Sequence, residues 1–385
     1  MKIGYIIESS YNSGGMERML SVMANAMSLH HDISVITAFN NGRKDFFPLN
    51  PSVSRHDFCI DSKLYSRGSV LKKTYKNTLT LYLKKNHFDI IVSMGSMEMF
   101  FLHSINDNST KIIWFHFALN RFIFNAPFRK LTYLHKVIGK LQQYRVIYHA
   151  KKYDKIVVLS KSDLKDWRKF TKNVTFIYNP ITILPDNFKP SYDKKSVIAV
   201  GRLSYEKGFD YLIDAWKLVN QKFPDWSLNI YGEGPMKDEL SKQIVSNKLS
   251  NVVFLKGRCN EIEKQYVSHS LFVLSSRYEG FGLVLLEASA CGLPMVSYNC
   301  KQGPSEIIEH NKNGLLVNPV GDIVELAKNI CFLLGNEDKR EIMGKQAKKM
   351  SMRFSLESIL PKWLNLFEEI SDNESNSNFS ISSYL

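Results

Sequence analysis

Short apolar runs alternate with amphipathic segments along most of the chain. The runs read KIGYIIES, ISVITAF, DIIVSMG, KIIWFH and KIVVLS in the first half, and SVIAVG, SLNIYG, VVFLKG, SLFVLSS, PMVSYN and GLLVNP in the second. Continuously apolar runs are typical of parallel strands that are buried on both faces of a sheet. The segments between them have helical period, and their two clearest apolar stripes consist of Met16, Leu20, Met23 and Met27, and of Phe209, Leu212, Trp216 and Val219.

The alternation is interrupted once, at residues 179–196, where prolines and the lack of a period indicate a linker. We therefore predict an α/β fold of two doubly wound, Rossmann-like domains, residues 1–185 and 186–354, facing each other across a cleft. Ligands of such sheets bind at the carboxyl ends of the strands. A helix at 355–370 is expected to return toward the first domain, and the polar tail 371–385 is expected to be disordered.

The composition indicates that the protein has an anionic partner. The 385 residues carry a net charge of +14, which fits nucleic acid, an anionic membrane surface or a phosphorylated small molecule. The five cysteines show no C-x-x-C spacing, so we expect a reduced compartment rather than disulfides or a zinc site. The chain begins without the apolar core of a signal peptide and lacks an apolar run of about 20 residues, so we expect it to be soluble or to lie on a membrane.

Two strand-to-helix turns contain residues suited to phosphate. Gly14 and Gly15 follow the first strand where a helix begins, although a Gly-Gly loop can also merely turn the chain. Arg202 and Lys207 follow the strand SVIAVG, where fixed cations can neutralise a diphosphate; the alternative is two solvated surface charges. The chain contains no D-x-D pair, so we expect no metal ion.

Two glutamates, Glu279 and Glu287, flank a third such turn. Glu279 follows the strand SLFVLSS, whereas Glu287 lies a little over one turn into the next helix, so the two carboxylates do not share a helical face. The N–H groups between them suit a phosphate, and they belong to Gly280, Phe281, Gly282 and Leu283. We therefore expect the two glutamates to hold a substrate on either side of a phosphate rather than to share a proton.

Together, the segments EGFGLVLLE, GRLSYEKG and GG-x-E-R resemble the family 4 retaining glycosyltransferases of the GT-B fold, of the bacterial surface-polysaccharide type. The resemblance implies transfer of a sugar from a nucleotide diphosphate donor, with retention and without metal or cofactor. It implies that Glu279 contacts the transferred sugar, Glu287 the ribose, and Arg202 and Lys207 the diphosphate. It also implies that the turn at Gly15 approaches the donor phosphate or the acceptor.

The family also places a histidine just after a strand of the first domain, and KIIWFH offers His116 at that place. The resemblance implies that His116 orients the sugar through its imidazole or its backbone carbonyl, whereas a lone histidine is more often structural. GPSEII, residues 303–308, resembles another donor-side feature. A front-face transfer, in which the departing diphosphate helps to take the proton of the acceptor, resembles the family better than a covalent intermediate does.

The acceptor is inferred from a basic, amphipathic stretch, residues 120–155, which suits an anionic membrane surface unless it is simply a solvated helix face. We expect a lipid-linked glycan acceptor in O-antigen or capsule synthesis, a UDP-linked hexose or N-acetylhexosamine donor, and a protein on the inner face of the cytoplasmic membrane. No module that reads nucleic acid is recognisable, and none is expected as a partner. A nucleic-acid-binding protein, a nucleotide-sugar epimerase and a phosphorylase remain the alternatives.

Overall fold

A computed structural model describes residues 1–61, 68–124, 133–183 and 190–382 of the chain. It divides into two compact units. The first is formed by Met1–Ile123, Tyr133–Thr182 and the chain from Leu356 onward, and the second mainly by Ile183–Ser355. The expected linker falls partly on residues 184–189, which lie outside the described residues, as do 125–132 of the basic stretch and 383–385 of the tail.

The first unit is built around one parallel sheet. Its elements are β1 (Lys2–Ile7), α1 (Gly15–Met27), β2 (Asp32–Thr37), β3 (Ser54–Asp57), α2 (Gly68–Asn86), β4 (Ile90–Ser93), β5 (Thr110–Trp114), α3 (Arg121–Phe124), α4 (Tyr133–Ala150), β6 (Lys155–Val158), α5 (Lys161–Trp167) and β7 (Val174–Phe176). The strand order is β3-β2-β1-β4-β5-β6-β7. Nearly all residues of β1, β4 and β5 are buried, because helices cover both faces of the sheet.

The second unit repeats the architecture. Its elements are β8 (Ser196–Val200), α6 (Phe209–Lys222), β9 (Ser227–Tyr231), α7 (Lys237–Ser246), β10 (Val253–Gly257), α8 (Ile262–Val267), β11 (Leu271–Leu274), α9 (Leu283–Ala290), β12 (Met295–Tyr298), α10 (Pro304–Ile307), β13 (Gly314–Val317), α11 (Ile323–Leu334) and α12 (Glu337–Ser351). The parallel strand order is β10-β9-β8-β11-β12-β13. The expected apolar stripe of α6 is buried throughout. The prediction of two doubly wound domains is confirmed.

Each sheet has one point at which its strand order reverses. In the first unit the chain moves outward from β1 to β3 and then continues on the other side with β4; in the second, β8 and β11 are the corresponding neighbours. Loops diverge at such a point and leave a crevice beyond the carboxyl ends of the two strands. Ligand-binding residues are therefore expected after β1 and β4, and after β8 and β11.

The last helix, α13 (Leu356–Ser382), groups with the first unit. Its Trp363 ring packs edge-on against the Trp114 ring at the end of β5, with 4.8 Å between centroids, and both side chains are buried. The helix includes residues 371–382, for which the sequence predicts disorder. A polar composition prevents burial in a core, but it does not prevent the local i to i−4 hydrogen bonds that continue a helix already started.

Candidate functional site

The loops that follow β8 and β11 bring Lys207 and Glu279 into contact. Lys207 Nζ lies 2.6 Å from Glu279 Oε1, and the Ser276 hydroxyl donates to the same oxygen at 2.6 Å. The Glu279 side chain is only 8% exposed and that of Lys207 is 19% exposed, so water screens this ion pair weakly. The residue expected to bind the diphosphate, Lys207, and the residue expected to bind the sugar, Glu279, are thus partners of each other.

Arg277 holds the two loops together, and the sequence analysis missed it. Its guanidinium lies between the rings of Tyr205 and Tyr211, at 4.0 and 3.9 Å from their centroids. It donates to both carboxylate oxygens of Asp210, at 2.8 and 2.5 Å, and to the Tyr205 carbonyl at 2.6 Å. Arg277 lies two residues before Glu279, and its three partners surround Lys207 in the chain, so this network fixes the backbone that carries the ion pair.

Gly208 permits the close approach of these loops. Its φ of +60° lies in the left-handed region, and a Cβ added there would lie 2.1 Å from the Ser275 carbonyl oxygen. The Ser275 hydroxyl in turn donates to the Lys207 carbonyl at 2.9 Å. Glycine in the motif GRLSYEKG is therefore required where the first loop crosses the second.

Arg202 is exposed and forms no ion pair with any residue the structure describes. Its loop is supported by Gly232-Glu233-Gly234, a second feature that the sequence analysis missed. The Leu203 N–H donates to the Glu233 carbonyl at 2.9 Å. A Cβ at Gly232 would lie 1.9 Å from the Gly201 carbonyl oxygen. The closely spaced glycines after β9 were the available signal, since glycine after a strand often marks close backbone approach.

The start of α9 offers unsatisfied N–H groups. Gly282 precedes the helix with a φ of +91° and caps it with no side-chain hydrogen bond, so the first N–H groups are available to an anion. The Phe281 ring is buried against Phe354, with 5.7 Å between centroids, so Phe281 can offer a ligand only its backbone. Gly303 of GPSEII lies directly against that backbone, because a Cβ there would be 2.2 Å from the Phe281 carbonyl oxygen.

Glu287 is more enclosed than its expected role suggests, with 4% exposure. Its Oε2 accepts a hydrogen bond from the Tyr266 hydroxyl at 3.0 Å. Tyr266 lies on α8 and is completely buried. No local pattern pointed to it, because it is remote from Glu287 in the chain. Burial, assisted by the neighbouring Glu287 charge, raises the pKa of the Cys291 thiol to about 12, so this cysteine stays protonated.

In the first unit, two glutamates that the sequence analysis missed occupy the corresponding place. Glu8 follows β1, and its Oε1 accepts from the Met97 N–H at 3.0 Å. Glu98 follows β4 and accepts from the Ser93 hydroxyl at 2.7 Å and from the Ser96 N–H at 3.1 Å. Glu98 is fully buried, and its Oε2 has no partner among the described residues. Burial raises the pKa of Glu8, and it raises that of Glu98 to about 7.

The Gly14-Gly15 turn begins α1 as expected. Gly14 is the capping residue, in extended conformation, and its carbonyl accepts the Arg18 N–H at 3.1 Å. A Cβ at Gly14 would lie 2.3 Å from Glu17 Oε2. The Glu17 carboxylate of the motif GG-x-E-R therefore lies against this turn and supplies negative charge near the positive end of the helix.

His116 follows β5 and is neutral. Burial lowers its pKa to about 3, so the imidazole carries no charge at physiological pH. The residue keeps some exposure, but its Nε2 is buried without a hydrogen-bond partner in the part of the chain that the structure describes. Its ring lies 4.3 Å from that of Trp114. A neutral imidazole can donate or accept one hydrogen bond, which suits orientation of a sugar better than charge stabilisation.

Comparison with known proteins identifies the family. The model of the glycosyl transferases group 1 matches residues 182–350. A glycosyltransferase of Haemophilus influenzae is 31% identical over 370 residues, which cover 94% of this chain and 98% of that protein. The chain belongs to the group 1 glycosyltransferases. The expected family is thereby confirmed.

Relatives of this glycosyltransferase act in the synthesis of bacterial polysaccharides. A Campylobacter jejuni α-1,4-N-acetyl-D-galactosaminyltransferase, named for a PP-undecaprenol substrate, is 28% identical over 96% of this chain and 99% of its own. The structure of an S. aureus TarM mutant with Fondaparinux, α-GlcNAc-glycerol and UDP superposes with a TM-score of 0.79. It is 20% identical and covers 95% of this chain and 100% of TarM, and this likeness confirms the GT-B fold.

Proposed function

We propose that this glycosyltransferase moves a hexose or N-acetylhexosamine from a UDP-sugar to a lipid-linked glycan, with retention at the anomeric carbon and without a metal ion. The presence of UDP in the TarM complex supports the donor. The PP-undecaprenol substrate in the name of the Campylobacter relative supports the acceptor. The product would enter a surface polysaccharide such as O-antigen or capsule.

The contact between Lys207 and Glu279 is the observation that carries this proposal. A diphosphate brings two or more negative charges, and it competes with Glu279 for the Lys207 ammonium. When Lys207 turns to the phosphate, Glu279 loses its cation and its carboxylate becomes free to accept hydrogen bonds from sugar hydroxyls. When the donor binds, Lys207 exchanges Glu279 for a phosphate, and Glu279 exchanges Lys207 for sugar hydroxyls. Neither of these largely enclosed charges is then left without a polar partner.

Transfer follows from the same residues. Arg202, Lys207 and the first N–H groups of α9 would stabilise the charge that develops on the departing diphosphate. A phosphate oxygen of the leaving group, on the same face of the sugar as the incoming hydroxyl, would take the proton of the acceptor, which gives retention. His116 of the first unit would orient the sugar as a neutral hydrogen-bond partner. The enclosed Glu287, held by Tyr266, would bind the ribose.

Calorimetry with UDP on two variants tests these roles. Glu287→Gln removes a charged acceptor for the ribose, so we expect UDP to bind more weakly by about 1 to 3 kcal/mol. Glu279→Gln removes an acceptor for the group that moves and frees Lys207 for the diphosphate, so we expect slow transfer without any loss of UDP affinity. Glu261→Gln is the matched control, because Glu261 is exposed and pairs with the nearby Lys264.

Two results would contradict the assignment. If Glu287→Gln binds UDP as tightly as the wild type, the ribose contact is wrong. If both variants lose turnover while UDP affinity stays constant, the glutamates act as a catalytic acid pair. Transfer that is abolished by EDTA and restored by Mg²⁺ would show that the fixed cations are not sufficient.

We also propose that the protein lies on the inner face of the cytoplasmic membrane through α4. No helix within the described ranges is long and apolar enough to cross a membrane. Along α4, apolar side chains that are unusually exposed follow helical spacing: Val137, Leu141, Tyr144 and Tyr148, with exposures of 36, 64, 60 and 60%. Lys136 and Lys140 are exposed beside them. Apolar side chains flanked by lysines suit an anionic lipid surface.

A further inference from the structure

The first unit contains a groove that the donor chemistry does not use, here named the Arg43 groove. It has a volume of about 520 Å³ and is lined by the loop at residues 40–49 and by residues of β2 and β3, including Thr37 and Asp57 at their carboxyl ends. Its polar lining consists mainly of Asn40, Arg43, Lys44, Asp45, Arg55 and Asp57. A cavity of this size is ordinary for a small ligand, and it reaches the carboxyl edge of a parallel sheet, where ligands bind.

Both carboxylates of the groove are already satisfied. Asp57 accepts from the Thr37 hydroxyl, the Asn40 and Asn41 N–H groups and the Cys59 thiol, at 2.9, 3.1, 2.7 and 3.0 Å. Although burial opposes it, these hydrogen bonds hold the pKa of Asp57 below its usual value. Asp45 accepts from the Ser10 hydroxyl at 2.5 Å and from Arg55 Nε at 2.9 Å. Both carboxylates therefore stabilise the loop that follows β2, and the Asp45 carboxylate neutralises Arg55.

Arg43 is held in one orientation without being neutralised. Its guanidinium carbon lies 3.8 Å from the centroid of the Tyr11 ring, and its Nε donates to the Asn40 carbonyl at 3.2 Å. Asn40 is itself fixed, since its side-chain amide exchanges two hydrogen bonds with Ser10 at 2.9 and 2.7 Å. The terminal nitrogens of Arg43 have no partner among residues 1–61 or the other described ranges.

Lys44 adds a second uncompensated charge. It is exposed and forms no ion pair within the described part of the chain. The His56 ring, which stacks on Tyr82 with 4.0 Å between centroids, adds none, because burial lowers its pKa. The groove thus combines an oriented arginine fork, which matches the two oxygens of a carboxylate or phosphate, with a neighbouring point charge.

We propose that the Arg43 groove binds an anionic group of the acceptor, a phosphate or a carboxylate. This inference rests on the proposed function and names the chemistry of its acceptor. We have assigned the donor diphosphate to Arg202 and Lys207 in the second unit. The donor therefore does not account for the Arg43 groove. The acceptor is the remaining substrate, and Tyr11, which supports Arg43, belongs to the loop that follows β1 at the strand-order reversal of the first sheet.

Saturation-transfer NMR in the presence of excess UDP tests the site, because UDP occupies the donor residues. Glycerol 3-phosphate and galacturonate are the anionic probes, and glycerol and galactose are their neutral counterparts. We expect both anions to bind and both neutral compounds to fail. Arg43→Ala should weaken anion binding at least about tenfold, and Arg43→Lys should have an intermediate effect because it keeps the charge and loses the fork.

Two further variants separate recognition from general charge and from folding. Tyr11→Leu leaves Arg43 in place but removes the ring that orients it, so anion binding should again weaken. Arg168→Ala, at an exposed position after α5, removes the same charge elsewhere on the unit and should have no effect. UDP affinity should be the same in all variants, and thermal denaturation confirms that each is folded.

The inference is overturned if Arg43→Ala and Tyr11→Leu bind glycerol 3-phosphate as the wild type does, or if glycerol binds equally well. Unchanged UDP affinity in that case leaves the proposed function standing, whereas loss of UDP binding with intact anion binding overturns the proposed function alone. Geranyl diphosphate and inorganic diphosphate identify the source of the group. Tighter binding of the geranyl compound assigns a lipid-linked diphosphate, and equal binding assigns an anion of the glycan; both results support the site.

Discussion

The two units place polar residues at equivalent points of their sheets but treat charge in opposite ways. After β8 and β11, side chains of opposite charge form ion pairs, Lys207 with Glu279 and Arg277 with Asp210. After β1 and β4, burial favours the neutral forms of Glu8 and Glu98, as it does for His116 after β5. The second unit is prepared for a highly charged ligand, whereas the reversal point of the first offers hydrogen bonds in a weakly charged setting that suits sugar hydroxyls.

Replacing Arg277 should have the largest effect, because it disrupts the ion pairs of the second unit. Arg277→Ala leaves the Asp210 carboxylate, only 19% exposed, without its cation and removes the stack on two tyrosines. We expect a loss of about 3 to 5 kcal/mol in the free energy of unfolding, measured by urea denaturation, together with much weaker UDP binding. Lys328→Ala breaks an exposed pair and should cost less than about 1 kcal/mol. Equal effects of the two changes would show that Arg277 is not what holds the loops.

Glu98→Gln should reveal the buried neutral carboxyl of the first unit through the pH dependence of stability. Because the folded pKa of Glu98 is about 7 and its ordinary value is 4.5, the unfolded chain releases this proton first as pH rises. The stabilisation by the neutral carboxyl is complete below pH 4.5 and is lost as pH approaches 7. We expect wild type to lose on the order of 3 kcal/mol relative to Glu98→Gln across this window, measured by urea denaturation at several pH values.

His116 contributes with the opposite sign, since its lowered pKa destabilises the fold as pH falls below 6.5. It is present in both proteins, so the difference between them isolates Glu98. Glu261→Gln, at an exposed position, should show no such difference from wild type. A constant difference between wild type and Glu98→Gln at all pH values would mean that folding does not raise the pKa of Glu98.

The smallest expected effect concerns α4, where the first unit would meet an anionic surface rather than an anionic nucleotide. Replacement of Lys136 and Lys140 by glutamine should weaken sedimentation with phosphatidylglycerol vesicles by about 1 kcal/mol per charge removed, and rising salt should release the wild type. Arg145 is unsuitable for this test, because it packs over the Phe100 ring at 4.6 Å. Binding that is equal on neutral vesicles would contradict the electrostatic part of the proposal.

The sequence predicted the architecture because buried parallel strands read as continuous apolar runs, and each of the eleven apolar runs overlaps a strand. It also located the motifs of the second unit, since Arg202, Lys207 and Glu279 each lie between a strand and the next α-helix. The contact between Lys207 and Glu279 could not be predicted from the sequence. Nothing in the spacing of Lys207 and Glu279 states that β8 and β11 are neighbours, and that adjacency creates the contact.

Residues that act through burial were not predictable in the same way. Glu98 looks like any acidic residue of a loop, and only the enclosure of its side chain distinguishes it. Tyr266 and Glu287 meet although 21 residues separate them in the chain. Arg43 lies in a polar segment, NNGRKD, that is typical of a solvated turn, and its orientation depends on Asn40 of the same segment and on Tyr11 of the loop after β1.

The contact between Trp114 and Trp363 has a consequence for biosynthesis. The ribosome makes β1 to β7 first, then the whole of the second unit, and only then α13, which supplies Trp363 to the first core. At the usual elongation rates, the first unit waits about 10 to 40 s with the Trp114 face uncovered. During that time the nascent chain presents an apolar surface to chaperones and proteases. Completion of the first core therefore reports that translation has reached the last helix.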